Sequence, residues 1–398
     1  MINNTFRSYF PFFQDNPDAV YLDTAATTLK PKVLIDATLN FYRSSGSVHR
    51  SQYDFPQTQR YELARDLVAK RFNVATRDAV IWTSGTTHSL NLVANGLADS
   101  IEASDEIVIS VAEHHANFIP WQQLAERKQA RLIVLPLNSN YQIAPEMLQT
   151  ALSERTKIVA FNLVSNVTGV RQPAEQLIPL IRQQCSAKIV LDVAQAVCCE
   201  QIDVQALDAD FYAFSAHKMY GPTGVGVLTG KLSSLEQLRP LLFGGKMLQE
   251  ITEQKLTMAT LPYRLEAGTP NIAGIIAFGE VLEWLEKWDF SALNSPLYQL
   301  AKEARQRLAT YPNIRILPEG CLSPTISFVF HHQHHADIAA ILAEQQIALR
   351  SGEHCAKPYL RYLAQNGTLR ISLAHYNVQA DLDRFFTALD FALDILEN

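Results

Sequence analysis

Two residues that could carry amine chemistry follow separate apolar runs of the chain. Lys218 closes the segment 214–218 (FSAHK), and Asp192 ends the apolar run 189–191 (IVL). Because ligands of open α/β sheets gather at the carboxyl ends of the strands, we expect both side chains to face one crevice. A lysine that forms a Schiff base and an aspartate for a pyridinium nitrogen are the minimum equipment for pyridoxal phosphate (PLP) chemistry. From spacing alone, a solvated loop lysine and a helix-capping aspartate are an equally good interpretation.

Two further segments could serve the same crevice. Residues 83–87 (TSGTT) lie between a strand pattern and a helix pattern, so their hydroxyls and backbone N–H groups could bind a phosphate. A plain turn with a capping hydroxyl is the alternative. His114, in 113–117 (EHHAN), follows another strand pattern and could stack on an aromatic ring. A zinc site is disfavoured there, because adjacent histidines of an extended segment point to opposite faces and no further ligand has zinc spacing.

The cysteines separate into one reactive candidate and several packing residues. Cys355 lies in the polar segment 350–358 (RSGEHCAKP), where nearby cations would lower the pKa of the thiol and make it nucleophilic. Cys198 and Cys199 follow an apolar strand pattern and are interpreted as buried packing residues. The chain has 5 cysteines and no C-x-x-C pair, which argues against a disulfide framework and a zinc ribbon.

Two other polar segments allow a functional and an ordinary interpretation. Arg370, in 368–372 (TLRIS), could hold a carboxylate through two parallel hydrogen bonds, although an ordinary salt bridge explains a lone arginine as well. The histidine-rich segment 331–335 (HHQHH) follows a strand pattern and precedes a helix pattern. It is interpreted as a solvated loop and not as a metal site.

The elements that must position these residues alternate between strand and helix over the first two thirds of the chain. This alternation is typical of βαβ units, and it predicts an α/β fold with a mostly parallel sheet. Strands are predicted at 79–83, 106–111, 131–137, 157–163, 188–193, 210–214 and 224–229, and helices at 118–130, 144–153 and 173–184.

The character of the sequence changes after about Gly268. Longer helix patterns at 272–288 and 296–310 are followed by strand patterns at 325–330 and 369–372. We therefore predict a large domain over residues 20–268, and a smaller α+β domain formed by residues 1–19 and 269–398 that carries the cysteine loop.

Bulk composition limits the classes of protein. The 398 residues are 47% hydrophobic and 19% charged, with a net charge of −6, which is ordinary for a globular chain and unlike a nucleic-acid binder. The first residues lack the basic and apolar regions of a signal peptide, and no stretch of 18 uncharged apolar residues occurs. A cytoplasmic protein with no membrane or nucleic-acid partner is expected.

Seven segments, taken in order, resemble the cysteine desulfurases of the class V aminotransferase family over essentially the whole chain. They resemble the group II branch, which includes SufS and CsdA, and the CsdA type (cysteine sulfinate desulfinase) is nearest. The segments are 83–87, 113–117, 164–167 (VSNV), 192–195 (DVAQ), 215–218 (SAHK), 266–270 (EAGTP) and 350–356 (RSGEHCA). The resemblance implies fold type I of the PLP-dependent transferases.

The resemblance also implies roles for individual residues. Lys218 would bind PLP covalently, Asp192 would pair with the pyridinium nitrogen, and His114 would stack on the ring. Gln195 would contact the phenolic oxygen, Asn166 would lie beside the cofactor, and the phosphate would be held by Thr86, Thr87, Ser215, His217 and, from a partner subunit, Thr269. Cys355 would accept the sulfur of L-cysteine as a persulfide, and substrate would be bound by Arg370, His49, Arg50 and Arg350.

The family pattern is not followed everywhere. Val193 and Ala216 replace usual glycines, His88 replaces a usual glutamate, and the segment 52–60 is shortened. Within the resemblance, the expected protein is a homodimer that passes sulfur to a SufE-like or CsdE-like acceptor in sulfur trafficking or iron-sulfur cluster assembly. Selenocysteine lyase or cysteine sulfinate desulfinase activity on the same scaffold is an alternative, and a non-catalytic partner protein with this fold is a third.

Overall fold

The computed structural model describes residues 2–49 and 52–397. The chain crosses repeatedly between two units. The larger unit comprises Val33–Leu163 and Gln172–Leu285, and the smaller unit comprises Met1–Lys32, Val164–Arg171 and Glu286–Asn398.

Strands and helices alternate along most of the chain, as the sequence pattern predicts. The strands are β1 (Val20–Tyr21), β2 (Val80–Thr83), β3 (Glu106–Ser110), β4 (Arg131–Leu135), β5 (Thr156–Asn162), β6 (Lys188–Asp192), β7 (Phe211–Ser215), β8 (Gly226–Gly230), β9 (Leu248–Ile251), β10 (Leu256–Met258), β11 (Ile314–Leu317), β12 (Thr325–Phe330), β13 (Ile347–Ala348), β14 (Arg350–Gly352) and β15 (Thr368–Ser372).

The α-helices are α1 (Ile2–Arg7), α2 (Phe12–Asp15), α3 (Lys32–Tyr42), α4 (Phe55–Arg71), α5 (Thr86–Gly96), α6 (His115–Lys128), α7 (Pro145–Ala151), α8 (Ala174–Gln184), α9 (Val204–Leu207), α10 (Leu232–Leu235), α11 (Ile272–Leu285), α12 (Phe290–Leu308), α13 (His335–Glu344), α14 (Lys357–Tyr362) and α15 (Gln379–Glu397). No helix among the described residues combines the length and the apolar content that a bilayer crossing requires.

The larger unit is built on a seven-stranded sheet in the order β2-β8-β7-β6-β5-β3-β4 within the described residues. Strands β3 to β7 pair in parallel, and β8 runs antiparallel to both β2 and β7. In this register Asn162 lies opposite Asp192, and Asp192 lies opposite Ala213. The predicted α/β fold with a mostly parallel sheet is confirmed, and the carboxyl ends of β5, β6 and β7 meet at one edge.

The smaller unit contains a four-stranded antiparallel sheet in the order β11-β12-β15-β14 within the described residues. Strands β1 and β13 form a separate parallel pair. The first helix docks through Phe6, which is fully buried and whose ring meets Trp288 and His375 edge-on. The beginning of the chain therefore belongs to the core of this unit.

The largest difference from the predicted helices is at α12, which was predicted to begin near Pro296. It begins six residues earlier, because Oδ1 of Asp289 accepts the backbone N–H groups of Ser291 and Ala292 and caps the helix there. Pro296 lies inside the helix, although a proline usually marks a helix start. The cap decides where this helix begins.

Candidate active site

Lys218 and Asp192 lie at the carboxyl ends of adjacent strands of the larger sheet. Lys218 is the last residue of a 3-10 turn that follows β7, and Asp192 is the last residue of β6. Asp192 is buried, and Oδ1 accepts the backbone N–H of Ala194 at 2.9 Å. Burial raises the pKa of Asp192 to about 6, although that hydrogen bond and the positive charge of Lys218 both lower it. The structure therefore brings the lysine and the aspartate into one electrostatic environment.

The segment predicted as a phosphate site begins helix α5. The backbone N–H of Thr86 donates to Oγ of Ser215 at 2.8 Å, and the two hydroxyl oxygens are 2.7 Å apart. Ser215 ends β7, so the positive end of α5 is tied to the strand that leads to Lys218. Thr87 is exposed on the first turn of α5, and His217 is half-buried in the turn beside Lys218.

A close approach of two backbones underlies this turn. A Cβ atom on Gly226 of β8 would lie 2.4 Å from Cα of Gly85, the residue that precedes α5. Only glycine fits such a contact. Gly226 could not be singled out from the sequence, because Gly85, the residue that it contacts, lies far away along the chain.

The segment that leads to Thr269 follows a buried ion pair in the larger unit. Glu266 forms a bidentate ion pair with the buried Arg65, at 2.7 and 3.0 Å, and accepts the backbone N–H of Trp82 at 2.8 Å. Thr269 itself is exposed and lines a cleft of about 390 Å³ together with His88. The Arg65 pair thus anchors the chain just before the turn that carries Thr269.

His88 stands where the family usually has glutamate, and it has a local role. Its Nδ1 accepts the backbone N–H of Ser84 at 3.1 Å. Burial lowers the pKa of His88, so the ring is neutral at neutral pH and keeps the lone pair that this contact needs. The substitution is therefore compatible with the turn that begins α5. Val193, the other departure, is buried and donates its N–H to the carbonyl of Ala213.

His114 caps helix α6, and its contact fixes the position of the ring proton. Nδ1 accepts the backbone N–H of Ala116 at 3.0 Å, so the neutral ring carries its proton on Nε2. Gln195 is half-buried in the turn after β6. His114 follows β3, and Gln195 follows β6, which ends at Asp192, so all three residues belong to the carboxyl ends of two strands of one sheet.

A buried polar network, which sequence reasoning missed, lies beneath this edge. Glu113 is fully buried and accepts hydrogen bonds from Asn117 at 2.6 Å and Asn162 at 2.9 Å, as well as from the hydroxyl of Ser110. Burial, and to a smaller extent the nearby Asp192 carboxylate, raise the pKa of Glu113 to about 8, although the three hydrogen bonds lower it. The only sequence signal was a glutamate directly after an apolar strand.

The segment expected at the substrate entrance is described only in part. His49 has a left-handed backbone (φ 58°), its N–H donates to Oγ1 of Thr58 at 2.8 Å, and its Nε2 lies 3.0 Å from a carboxylate oxygen of Glu62. Arg50, predicted as its functional neighbour, lies outside the described residues.

In the smaller unit, Cys355 is exposed on a loop between β14 and α14. His354 and Cys355 both have left-handed backbones, with φ of 53° each. Two contacts hold this conformation: Nδ2 of Asn166 donates to the carbonyl of His354 at 2.7 Å, and Nε2 of His354 lies 2.7 Å from the hydroxyl oxygen of Thr368. Burial lowers the pKa of His354 to about 3, which keeps its ring neutral.

The histidine-rich segment contacts β14, the strand that leads into this loop. His334 caps α13, and Nδ1 of His335 lies 2.7 Å from the hydroxyl oxygen of Ser351 in β14. The described residues contain no group of three or more histidine, cysteine, aspartate or glutamate side chains arranged to hold a metal ion. Cys198, in contrast to Cys355, is buried, and its thiol lies 3.6 Å from the hydroxyl of Tyr220.

Arg370 is buried in β15 and already has an acidic partner. Its Nη2 lies 3.1 Å from Oδ1 of Asp23, and its Nη1 donates to the carbonyl of Asn166 at 2.8 Å. Nε of Arg350 lies 3.3 Å from Oδ2 of the same aspartate. The salt bridge that was the alternative interpretation of Arg370 is present, and its acidic partner Asp23 was not singled out from the sequence.

Comparisons with known proteins agree on one family. The model of the family "Aminotransferase class-V" matches residues 20–385. A probable cysteine desulfurase of Haemophilus influenzae is 54% identical over 391 residues, which are 98% of this chain and 90% of that protein. Cysteine desulfurase CsdA of Escherichia coli is 43% identical, with 98% of each chain covered.

Solved structures give the same result. The S-sulfonic acid form of Escherichia coli CsdA superposes with a TM-score of 0.94 and 42% identity, covering 99% of this chain and 98% of that one. An apo cysteine desulfurase from Thermococcus onnurineus gives 0.91 and 30%, covering 98% and 97%. The predicted fold type I is confirmed by these matches. The chain belongs to the aminotransferase class V family, among its cysteine desulfurases.

Proposed function

We propose that this chain is a PLP-dependent cysteine desulfurase that converts L-cysteine to L-alanine and takes up the sulfur on Cys355 as a persulfide. The relatives named above support the activity. The observation that carries the residue assignments is the pair of Lys218 and the buried Asp192 at the ends of β7 and β6, next to the hydroxyl-lined start of α5.

The residues present fit the cofactor. Asp192 is a buried carboxylate whose pKa is raised, so the groups around it do not fully compensate its negative charge. A protonated ring nitrogen would provide the missing positive charge. The start of α5 offers Thr86, Thr87 and Ser215 to a phosphate, with His217 and Thr269 completing the set. When bound, PLP withdraws electrons from the substrate Cα.

The chain's own side chains then have distinct tasks. Lys218 holds the cofactor through Nζ and, once released by substrate, moves the Cα proton. His114 would stack on the cofactor ring, with Gln195 at the phenolic oxygen and Asn166 beside the cofactor. Arg370 binds the substrate carboxylate, with Arg350, His49 and Arg50 assigned to the substrate path.

Sulfur transfer needs only the thiol of Cys355 as acceptor. A bond forms between Sγ of Cys355 and the substrate sulfur while the substrate Cβ–S bond breaks. The electron pair of the broken bond stays with the carbon skeleton, which takes up a proton and leaves as alanine. The atoms balance as cysteine plus enzyme thiol giving alanine plus enzyme persulfide.

The first experiment tests Lys218 and Cys355 separately. Purified protein should show a visible absorbance band that borohydride removes, and Lys218→Ala should lose it; borohydride-reducible cofactor on another lysine of that variant would refute the assignment. Cys355→Ser should keep the band and fail to release alanine from L-cysteine. Mass spectrometry after one turnover should find about one extra sulfur, roughly +32 Da, on the Cys355 peptide.

The same variants decide between substrates. L-selenocysteine and L-cysteine sulfinate lose selenium and SO₂, respectively, and these leaving groups depend less on an acceptor thiol than the sulfur of L-cysteine does. Cys355→Ser should therefore retain activity on these two substrates. If Cys355→Ser also desulfurates cysteine normally, or if the extra sulfur appears on Cys198 or Cys199, Cys355 is not the acceptor. If the parent protein turns over none of the three substrates, it is the non-catalytic partner protein of the third alternative.

The assembly and partners are part of the same proposal. We propose a cytoplasmic homodimer, in which Thr269 of one subunit completes the phosphate site of the other, and a SufE-like or CsdE-like acceptor that delivers sulfur towards iron-sulfur cluster assembly. The exposed Thr269 and the exposed, tightly held Cys355 loop are compatible with this. A fully active monomer in sedimentation at assay concentration would contradict the dimer, and alanine release unchanged by added acceptor would contradict the delivery step.

We also propose that residues 20–268 form the domain that binds PLP, and that residues 1–19 and 269–398 form a small domain that carries the cysteine loop. Limited proteolysis of the holoenzyme, with the fragments sequenced and the cofactor followed by its absorbance, tests these boundaries. Cofactor retained by a fragment ending near residue 268 is the expected result.

A further inference from the structure

A cleft outside the proposed active site lies in the smaller unit, between helix α12 and the edge strand β11. Its volume is about 700 Å³, which is in the range of roughly 300–1,000 Å³ that small-molecule sites occupy. Ile314 and Ile316 of β11 and Leu322 of the following loop give it an apolar lining. The cleft is therefore large enough, and apolar enough, for the body of a small organic molecule.

The charged residues of this cleft are mostly cations without acidic partners. Lys302 and Arg305 of α12 and Arg315 of β11 line it, and none of the three forms an ion pair within the described part of the chain. Glu319 is the one acidic residue in the lining. The chain as a whole has a net charge of −6, whereas these three cations make the electrostatic potential in the cleft positive. The cleft therefore favours the binding of anions.

Arg305 is the member of this group that is least solvated. Its Nη1 donates to the carbonyl of Pro318 at 3.0 Å, whereas Nε and Nη2 are buried and have no hydrogen-bond partner among the described residues. Burial lowers the pKa of Arg305, but a guanidinium remains charged in proteins. A partly desolvated charge with so little compensation attracts an anion more strongly than a solvated one.

We propose that the cleft between α12 and β11 binds a small organic anion, in which a carboxylate or phosphate meets Arg305, Arg315 and Lys302 while an apolar body covers Ile314 and Ile316. The site is separate from the residues assigned to sulfur transfer, and its occupation does not depend on PLP.

Cys321 provides a reporter inside the cleft. It is half-buried in the lining, and the charge of Arg305 opposes the rise in the pKa of its thiol that burial causes. The holoenzyme carrying Cys355→Ser is treated with two disulfide reagents, the anionic aromatic dithiobis(nitrobenzoate) and the neutral dithiodipyridine, and the modified peptides are identified by mass spectrometry. Each reagent exchanges with the Cys321 thiolate and releases one thiol, so the two rates are directly comparable.

The measured quantity is the ratio of the reaction rate with the anionic reagent to that with the neutral reagent. This ratio should be about tenfold higher for Cys321 than for a free thiol in solution, because a positive cleft raises the local anion concentration by about 10-fold or more. Arg315→Gln and Arg305→Gln should each lower this preference. Arg307→Gln is the matched control, because Arg307 is on the same helix but is already paired with Asp383 at 2.6 Å. No preference in the parent protein, or an equal loss with Arg307→Gln, overturns the proposal.

A protection experiment identifies the anionic group. Benzoate, phenyl phosphate and inorganic phosphate are added at equal ionic strength before the neutral reagent. Protection of Cys321 by benzoate alone assigns a carboxylate ligand, and protection by phenyl phosphate alone assigns a phosphate ester. Protection by inorganic phosphate as strong as by phenyl phosphate removes the role of the apolar lining, and absence of protection by all three refutes the site. Arg315 is exposed, so Arg315→Gln remains informative if Arg305→Gln disturbs the loop held through Pro318.

Discussion

The buried carboxylate of Asp192 is expected to destabilise the cofactor-free protein at neutral and alkaline pH. Its pKa rises from an ordinary 3.8 to about 6 in the folded chain, so the native state binds more protons than the unfolded state between these values. The free energy of unfolding therefore falls as the pH rises through this window and levels off above it. A shift of this size corresponds to a loss of about 3 kcal/mol of unfolding free energy at pH 8 and about half as much at pH 5.

Asp192→Asn isolates this effect. The asparagine oxygen still accepts the N–H of Ala194 and carries no charge, so the cofactor-free variant should exceed the parent in unfolding free energy by about 3 kcal/mol at pH 8. At pH 5 about half of this gain should remain. The same variant should bind PLP weakly and lack activity, because it cannot hold the charge of the ring nitrogen.

Urea denaturation followed by circular dichroism, at one fixed protein concentration and at both pH values, measures the gain. Asp203→Asn is a control of opposite sign, since the N–H of Ala206 and the side chain of Asn73 lower the pKa of Asp203. That control should lose stability at pH 8. An Asp192→Asn protein that is no more stable than the parent at pH 8, or that gains equally at pH 5 and pH 8, would refute the reasoning.

Three further outcomes are expected. Glu266→Ala leaves the guanidinium of Arg65 buried without its partner and should cost about 3–5 kcal/mol in urea unfolding; a loss below about 1 kcal/mol would contradict this ion pair. Gly226→Ala places a Cβ against the backbone of Gly85 and should abolish the cofactor absorbance band, whereas Gly244→Ala, which meets nothing within 4 Å, should not. Thr368→Val removes the hydroxyl beside Nε2 of His354, a change worth about 1–3 kcal/mol, and should slow persulfide formation on Cys355 while the cofactor spectrum stays unchanged. An unchanged rate would mean that the loop does not need this contact.

The strands of the larger sheet could be predicted because strands buried on both faces are continuous apolar runs bounded by turn residues. The predicted strand 188–193, for example, extends one residue past the end of β6, and the predicted strand 106–111 extends one residue past the end of β3. Helix α4 was not predicted. Its buried face includes Arg65, whose acidic partner Glu266 is 201 residues away, so the local pattern is not amphipathic.

The candidate site divides in the same way. Some site residues could be proposed from short segments whose residue types already indicate a function. These residues are Lys218, Asp192 and Cys355. Asp23 and Glu113 acquire their meaning only from partners on other strands, and no local pattern separates them from ordinary acidic residues. Long-range pairing is the information that a single sequence does not display.

The sharing of Asp23 between Arg350 and Arg370 sets a charge balance at the proposed carboxylate site. One aspartate against two arginines leaves a single positive charge, which one substrate carboxylate neutralises. If Arg370 holds that carboxylate, L-cysteine meets a site matched to it in charge. Cysteine sulfinate brings a second anion, for which this trio has no spare cation, so its binding should depend more strongly on ionic strength than that of cysteine.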